Sequence, residues 1–157
     1  MKLRNGLIVL TALALLLPLA AHAQRGDPEL GTWKLDVARS KFDGASAPTS
    51  GTRTYTQTPH GIQMTEQIVT DGEARTRGWT LKRDGKPYPE TGNPNFDALA
   101  VTRISALRFK SDLMRGGQLV GHADTIVSKD HKILTIDVRY KNTAGQPVHT
   151  VSVYQRQ

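Results

Sequence analysis

Turn signals recur at short intervals along almost the whole chain, and this spacing is the strongest constraint on the fold. Between them lie short runs rich in Thr, Val, Ile and Tyr, and no helical apolar period persists after residue 24. The turn signals are Pro59-His60-Gly61, Asp71-Gly72, Asp84-Gly85, Gly116-Gly117, Lys129-Asp130-His131 and Ala144-Gly145. This pattern predicts an antiparallel meander of β-strands.

The meander is expected to contain nine main strands and a short extra one at 86–89. The main strands are predicted near residues 30–37, 51–58, 62–70, 73–83, 97–104, 107–114, 118–127, 132–141 and 146–155. Because side chains alternate along a strand, the hairpins bring apolar residues onto one continuous face. A meander of nine or ten strands with one inward face predicts an all-β, up-and-down barrel of the calycin type. A sandwich of two sheets is the structural alternative.

Two of the turns predict which side chains share the inward face. A two-residue turn at Asp71-Gly72 sets Glu66 opposite Arg77. A turn at His60-Gly61 sets Tyr55 opposite Glu66. Both pairings put these residues on the face that also carries the apolar side chains.

The C-terminal hairpins are predicted in the same way. Val138 is expected opposite Ala123 on one side. A turn at Ala144-Gly145 sets Val138 opposite Val151 on the other side. This alternation turns Tyr154 toward the outside.

The N-terminus resembles a bacterial export signal. A positively charged start and an apolar run over residues 6–19 precede Ala21-His22-Ala23, which has the pattern that signal peptidase requires. We predict a signal peptide at 1–23, cleaved after Ala23, and a single barrel domain at 24–157. Gln24 follows the cleavage site in place of a cysteine, so we expect no lipoprotein anchor. The protein is therefore expected in the periplasm or outside the cell, and no later apolar run is long enough to cross a bilayer.

Composition narrows the range of partners. The chain has no cysteine, which excludes disulfides and thiolate chemistry. Loss of Lys2 and Arg4 with the signal peptide lowers the formal net charge from +7 to +5. This surplus favours anionic partners, although it also fits a solvated basic surface. We expect no nucleic acid partner because no basic helix or nucleotide-binding motif is present; the sequence does not predict the oligomeric state.

Residues 30–42, LGTWKLDVARSKF, resemble the start of the calycin superfamily, which contains the lipocalins and the intracellular fatty-acid-binding proteins. In that superfamily a Gly-x-Trp motif opens the first strand, and the tryptophan closes one end of the barrel. Gly31 and Trp33 match these positions. Nearly the whole mature chain also resembles a group of small exported, uncharacterised bacterial lipocalin-like proteins. The motifs that carry this resemblance are Ser40-Lys41-Phe42, Asp84-Gly85-Lys86 with Tyr88-Pro89, Thr91-Gly92-Asn93-Pro94 and Val127-Ser128-Lys129-Asp130.

The ending Val151-Ser152-Val153-Tyr154 resembles the last strand of the fatty-acid-binding branch. In that branch an arginine that binds the ligand carboxylate stands two residues before the tyrosine, where this chain has Ser152. The segment 38–50 is too short for the two-helix lid of that branch. The resemblance therefore implies the barrel without that lipid-carboxylate site.

A charged cluster lies on the predicted inward face. It is expected near the Asp71-Gly72 turn, at the end of the barrel remote from Trp33, and comprises the candidate ligand-binding residues Arg53, Tyr55, Glu66, Arg75 and Arg77. Buried charges are costly unless they are paired or hydrated. Glu66 can pair with Arg77, which would leave Arg53 and Arg75 to bind a carboxylate or phosphate of a ligand. Alternatively, the strands extend past the barrel rim and water solvates these arginines.

No pattern in the sequence specifies a catalytic or metal site. His122 shares the predicted outward face with Asp124 and Asp137, but one histidine and two separated carboxylates are a weak ligand set. The chain contains no Gly-x-Ser-x-Gly motif and no glycine-rich phosphate loop. We therefore predict no catalytic residue, no metal and no cofactor.

Three functions follow, in order of support. The first is an exported protein that binds a small amphiphilic or anionic molecule inside the barrel. The second is an envelope or stress-related interaction protein whose barrel is filled, and a cavity of several hundred Å³ would favour the first over it. The third is an enzyme, which would require Glu66, Tyr55 and His149 to line one pocket.

Overall fold

The computed structural model describes residues 26–157, so the predicted signal peptide at 1–23 lies outside the described residues. The described part contains eleven strands and a short 3₁₀ helix at Val37–Arg39. The strands are β1 (Gly31–Leu35), β2 (Lys41–Asp43), β3 (Ser50–Thr58), β4 (Gly61–Thr70), β5 (Glu73–Leu81), β6 (Asp84–Thr91), β7 (Ala98–Arg103), β8 (Arg108–Arg115), β9 (Gln118–Val127), β10 (Ile133–Lys141) and β11 (Pro147–Arg156). Residues 26–157 include no helix with the length and apolar character needed to span a membrane.

The strands form one antiparallel sheet that closes on itself. From β3 to β11 each strand pairs with its neighbours in sequence, and β1 joins β3 to β11. Ten strands thus make up the barrel wall. The short β2 pairs with β11 beside β1, so β1 and β2 follow one edge of β11 in succession. The predicted all-β, up-and-down barrel is confirmed.

The β4–β5 hairpin has the predicted register. Asp71 and Gly72 have φ angles of 53° and 79°, as a two-residue turn between twisted strands requires. Glu66 consequently faces Arg77. The identity of the turn residues was sufficient to predict this pairing.

The β3–β4 register differs from the prediction by two residues. The turn lies one residue earlier, at Pro59-His60, so that Tyr55 faces Met64 and Arg53 faces Glu66. A shift of two residues keeps every side chain on its predicted face. The prediction that Tyr55 lies opposite Glu66 is therefore wrong, while the inward orientation of both residues is confirmed.

The β10–β11 register differs from the predicted register by one residue. This difference exchanges the inward and outward faces of β11 relative to the prediction. The connection is longer than predicted because the Asn142 side chain accepts hydrogen bonds from the backbone N–H groups two and four residues later, at 3.0 and 2.9 Å. Val138 consequently faces Thr150 instead of Val151. A slip of one residue turns each side chain to the opposite face. Tyr154 therefore points inward and is fully buried, which corrects the predicted outward orientation.

Trp33 closes one end of the barrel. Its indole Nε1 donates a hydrogen bond to the Glu29 carbonyl at 2.8 Å, and the Arg156 guanidinium stacks 4.1 Å from its ring. Arg156 also donates to the Pro28 carbonyl at 2.7 Å, which holds the N-terminal segment across this end. Across β1 and β3, however, Trp33 pairs directly with Arg53. The tryptophan and Arg53 of the charged cluster are therefore cross-strand neighbours, whereas the sequence analysis predicted them at opposite ends of the barrel.

Candidate functional site

A row of charged side chains crosses the inner face of β3, β4 and β5. Arg53, Glu66 and Arg77 lie directly opposite one another on the three strands. The Glu66 side chain is completely buried and accepts hydrogen bonds from Arg53 Nε at 3.3 Å and Arg53 Nη2 at 3.0 Å. Arg77 Nε donates to the same carboxylate. Two guanidinium groups thus share one buried carboxylate.

Two tyrosines complete this network. Tyr154 donates its hydroxyl hydrogen to Glu66, and Arg53 Nη1 donates to the Tyr55 hydroxyl at 3.1 Å. Burial raises the pKa of the Tyr154 hydroxyl, which keeps it protonated as a donor. Burial alone would also raise the pKa of Glu66, but Arg53 and Arg77 together hold that pKa well below its usual range. Glu66 is therefore a carboxylate, and every nitrogen of the Arg53 guanidinium has a partner.

A cavity of about 520 Å³ extends from this row to the end of the barrel remote from Trp33. We call it the outer cavity. The apolar and aromatic part of its wall is formed by Phe42, Ile68, Phe96, Ile136, Val138 and Tyr140. The other part is polar and includes the acidic Asp71 and Glu73 beside the arginines. The rings of Phe96 and Tyr140 pack edge to face with their centres 5.8 Å apart. The volume lies within the range of small-molecule sites.

Arg77 lines this cavity and has hydrogen-bond partners for only part of its guanidinium group. Its side chain is 27% exposed, and its Nε is bound to Glu66. No acceptor among residues 26–157 takes a hydrogen bond from its two terminal nitrogens. Because Arg77 lines the outer cavity, these nitrogens are free to bind an anion there.

Arg75 has a different environment. It lies at the rim of the outer cavity, where its side chain is 59% exposed and pairs with Glu73 at 3.0 Å. The expectation that Arg53 and Arg75 lack carboxylate partners is therefore wrong for both. The structure brings Arg53, Tyr55, Glu66 and Arg77 into one network and leaves Arg75 at the solvated rim.

A smaller space of about 80 Å³ lies beneath the charged row, toward Trp33. We call it the inner chamber. Polar side chains line it together with core residues, among them Glu29, Arg83, Glu90, Ser111 and Thr125. It shares Arg53, Arg77 and Phe96 with the outer cavity, so these residues stand between the two spaces.

Glu90 and Tyr154 belong to this region and were missed from the sequence. Glu90 lies in β6 opposite Trp79, just beyond the short strand predicted at 86–89. The prolines of β6 obscure the alternation that would have identified it as an inward residue. Tyr154 was missed because of the one-residue error in the β11 register.

The candidate metal ligands on the outer face do not converge. Asp124 and Asp137 are opposite each other, as predicted, but each has its own partners. His122 Nδ1 lies 2.8 Å from Asp112, and Asp124 binds an arginine of the neighbouring strand. The described ranges contain no group of three or more side chains placed to hold a metal ion.

The three residues of the enzyme hypothesis do not line one pocket. His149 lies on the outer face, where its Nε2 is 3.1 Å from Asp137. Glu66 and Tyr55 lie inside the barrel. The same register correction that turns Tyr154 inward turns His149 outward.

In comparisons with known proteins, no family model matches the chain and no curated protein is significantly similar to it. The closed antiparallel barrel of ten strands is consistent with the calycin-like fold implied by Gly31 and Trp33. The functional interpretation therefore depends on the geometry and charge of the two internal spaces.

Proposed function

We propose that this protein binds a small amphiphilic molecule with an anionic head inside the barrel. The observation that carries the proposal is an outer cavity of about 520 Å³ with apolar and polar walls, which is lined by Arg77. The terminal nitrogens of Arg77 have no partner among residues 26–157. Within the charged row, Arg53 and Arg77 carry two positive charges against the single negative charge of Glu66. The next carboxyl group to Arg77 is that of Glu90, and burial raises its pKa. An anionic head would balance this surplus.

The geometry gives the ligand a direction. A guanidinium has a planar set of donors that matches the oxygens of a carboxylate or phosphate. Glu66 holds one side of Arg77, which leaves its other side for the head group. The tail then runs toward the rim between Ile68, Phe96 and Val138. Burial of apolar ligand surface contributes about 25 cal/mol for each Å² removed from water.

We further propose that the protein is an exported member of the calycin superfamily. The Gly31 and Trp33 positions and the signal-like residues 1–23 support this assignment. The inward Tyr154 adds a similarity to the fatty-acid-binding branch. The guanidinium beside it, at 5.3 Å from its ring, comes from Arg53 of β3 and not from the last strand, where Ser152 lines the outer cavity.

The alternative of a filled barrel that acts through its surface has less support. A filled barrel would have side chains in the space that the outer cavity occupies. Within residues 26–157, three large hydrophobic residues are strongly exposed, namely Ile104, Leu119 and Ile126. Leu119 and Ile126 lie near opposite ends of β9, and Ile104 lies in the loop after β7, so the three do not form one contiguous docking patch.

Replacing Arg77 tests the proposal. Isothermal titration calorimetry would measure the binding of dodecanoate and of the uncharged dodecanol. We expect Arg77→Gln to weaken dodecanoate binding about 10- to 100-fold, the loss expected for hydrogen bonds to a charged group. Dodecanol binding should change little. The Arg53–Glu66 pair remains in the variant and preserves the local fold.

Two further arginines provide controls. Arg139→Gln changes an outer-face residue that is 64% exposed, and dodecanoate should bind this variant as it binds the wild type. Arg75→Gln should have only a small effect, because water and salt screen charges at the rim. Equal dodecanoate affinity of the wild type and a folded Arg77→Gln variant would refute the proposed site.

A further inference from the structure

The inner chamber is bordered by two buried polar side chains that each have an unpartnered atom. Among the described residues, no hydrogen-bond partner reaches Arg83 Nε or Glu90 Oε2. Both side chains line the chamber. One atom is a donor that lacks an acceptor, and the other is a carboxyl oxygen without a partner. Unpaired polar atoms are costly in a barrel interior, so a pair of them around one space indicates a missing partner.

The remaining contacts of the two residues keep them in place. The terminal nitrogens of Arg83 bind Asp27 and Glu29, and its guanidinium lies 4.0 Å from the centre of the Phe109 ring. Glu90 Oε1 accepts a hydrogen bond from Asn93 Nδ2 at 3.4 Å, and the residue is 8% exposed. A small rotation about the last side-chain bond, which has a broad minimum, would present Oε2 to the chamber.

Arg77 stands between the inner chamber and the outer cavity, and this position constrains the ligand. An anion bound there has the tail on one side and the inner chamber on the other. A carboxylate ends its chain, so it would leave the inner chamber empty. A phosphodiester keeps one negative charge and continues on both sides. A chamber of about 80 Å³ has room for a group the size of two or three water molecules.

We propose that the ligand is a phosphodiester amphiphile whose small cap beyond the phosphate carries a hydroxyl group. The inference rests on the proposed function and names the ligand class for the same site. The tail fills the outer cavity, the phosphate binds Arg77, and the cap enters the inner chamber. A hydroxyl both donates and accepts, so it matches the acceptor Glu90 Oε2 and the donor Arg83 Nε of the two side chains that line this space. An ammonium cap would satisfy only Glu90.

A matched pair of ligands tests the hydroxyl directly. The probes are 2-hydroxyethyl dodecyl phosphate and 2-fluoroethyl dodecyl phosphate, in which a fluorine of similar size replaces the hydroxyl group and cannot donate a hydrogen bond. Calorimetry on the wild-type protein should show at least tenfold tighter binding of the hydroxyl compound, because a site built around a hydroxyl rejects an analogue that cannot pair with it.

The Glu90→Leu variant tests the residue. We expect the hydroxyl preference to fall to less than twofold, while dodecyl phosphate, which carries no hydroxyl-bearing cap, still binds. Asp112→Leu, on the exposed outer face, should retain the full preference. If Glu90→Leu does not fold, the comparison of the two diesters on the wild-type protein still tests whether the site prefers a hydroxyl group.

The outcomes separate the two proposals. Equal binding of both diesters to the wild type would overturn the hydroxyl inference and leave the proposed function intact. Failure of all three probes and of dodecanoate to bind would overturn the proposed function and the inference together.

Discussion

Glu66 is a fully buried carboxylate that two arginines share, and its removal should be costly. Glu66→Gln would leave Arg53 and Arg77 buried without a counter-charge. Loss of one partner from a buried ion pair destabilises a protein by about 3–5 kcal/mol. Urea unfolding should show a decrease of this size in the free energy of unfolding. Tyr154→Phe is the control, since it removes one hydrogen bond from Glu66 and should cost about 1.5–3 kcal/mol. A smaller loss for Glu66→Gln than for Tyr154→Phe would contradict the shared-carboxylate arrangement.

The same residue gives a pH dependence whose sign is fixed. The pKa of Glu66 in the folded protein lies well below its ordinary value of 4.5. The unfolded chain therefore binds a proton first as the pH falls, and the stability that Glu66 contributes is lost from about pH 5 downward. The difference in unfolding free energy between wild type and Glu66→Gln should be full at pH 7 and shrink below pH 5. A constant difference from pH 7 to pH 3 would contradict the lowered pKa.

At the scale of the strands, the connecting turns determined how much of the site was predictable. The Asp71-Gly72 turn has one natural geometry, and it gave the Glu66–Arg77 pair correctly. At 59–61 three turn-forming residues are adjacent, so the sequence allows more than one position for the turn. The turn predicted at His60-Gly61 set Tyr55 opposite Glu66, whereas the observed turn sets Arg53 there. The length of the last loop depends on side-chain hydrogen bonds of Asn142. A sequence pattern does not show such bonds, so the faces of β11 were predicted wrongly.

Two glycines with the same backbone conformation test how the loop at the rim is held. Gly92 and Gly72 have φ angles of 77° and 79°. A Cβ at Gly92 would lie 2.1 Å from the Thr76 carbonyl oxygen, whereas a Cβ at Gly72 meets nothing within 4 Å. Gly72→Ala should cost about 1–2 kcal/mol from backbone strain alone. Gly92→Ala should cost about 1–3 kcal/mol more, because the clash forces β5 and the loop apart. Thermal unfolding would measure the loss of stability in both variants. Equal losses of stability would contradict the close approach between Gly92 and the Thr76 carbonyl oxygen.

At the scale of the whole molecule, the barrel was predictable and its hollow interior was not. Alternation and turn spacing determine strand order, and these predicted a closed antiparallel meander. The volume of the interior depends on how inward side chains of different strands meet. Phe96 lies in a loop for which no strand was predicted, yet it separates the two internal spaces. Register errors of one or two residues are enough to change such contacts.

NMR mapping of a bound anion tests the central claim most directly. Dodecanoate would be added to uniformly ¹⁵N-labelled protein, and the backbone amide and arginine Nε–H signals would be followed. We predict saturable shifts at Arg77, Phe96 and Ser152, which line the outer cavity, and little change at His122 or Asp124 on the outer face. Shifts confined to the outer face, or none at saturating dodecanoate, would contradict binding inside the barrel.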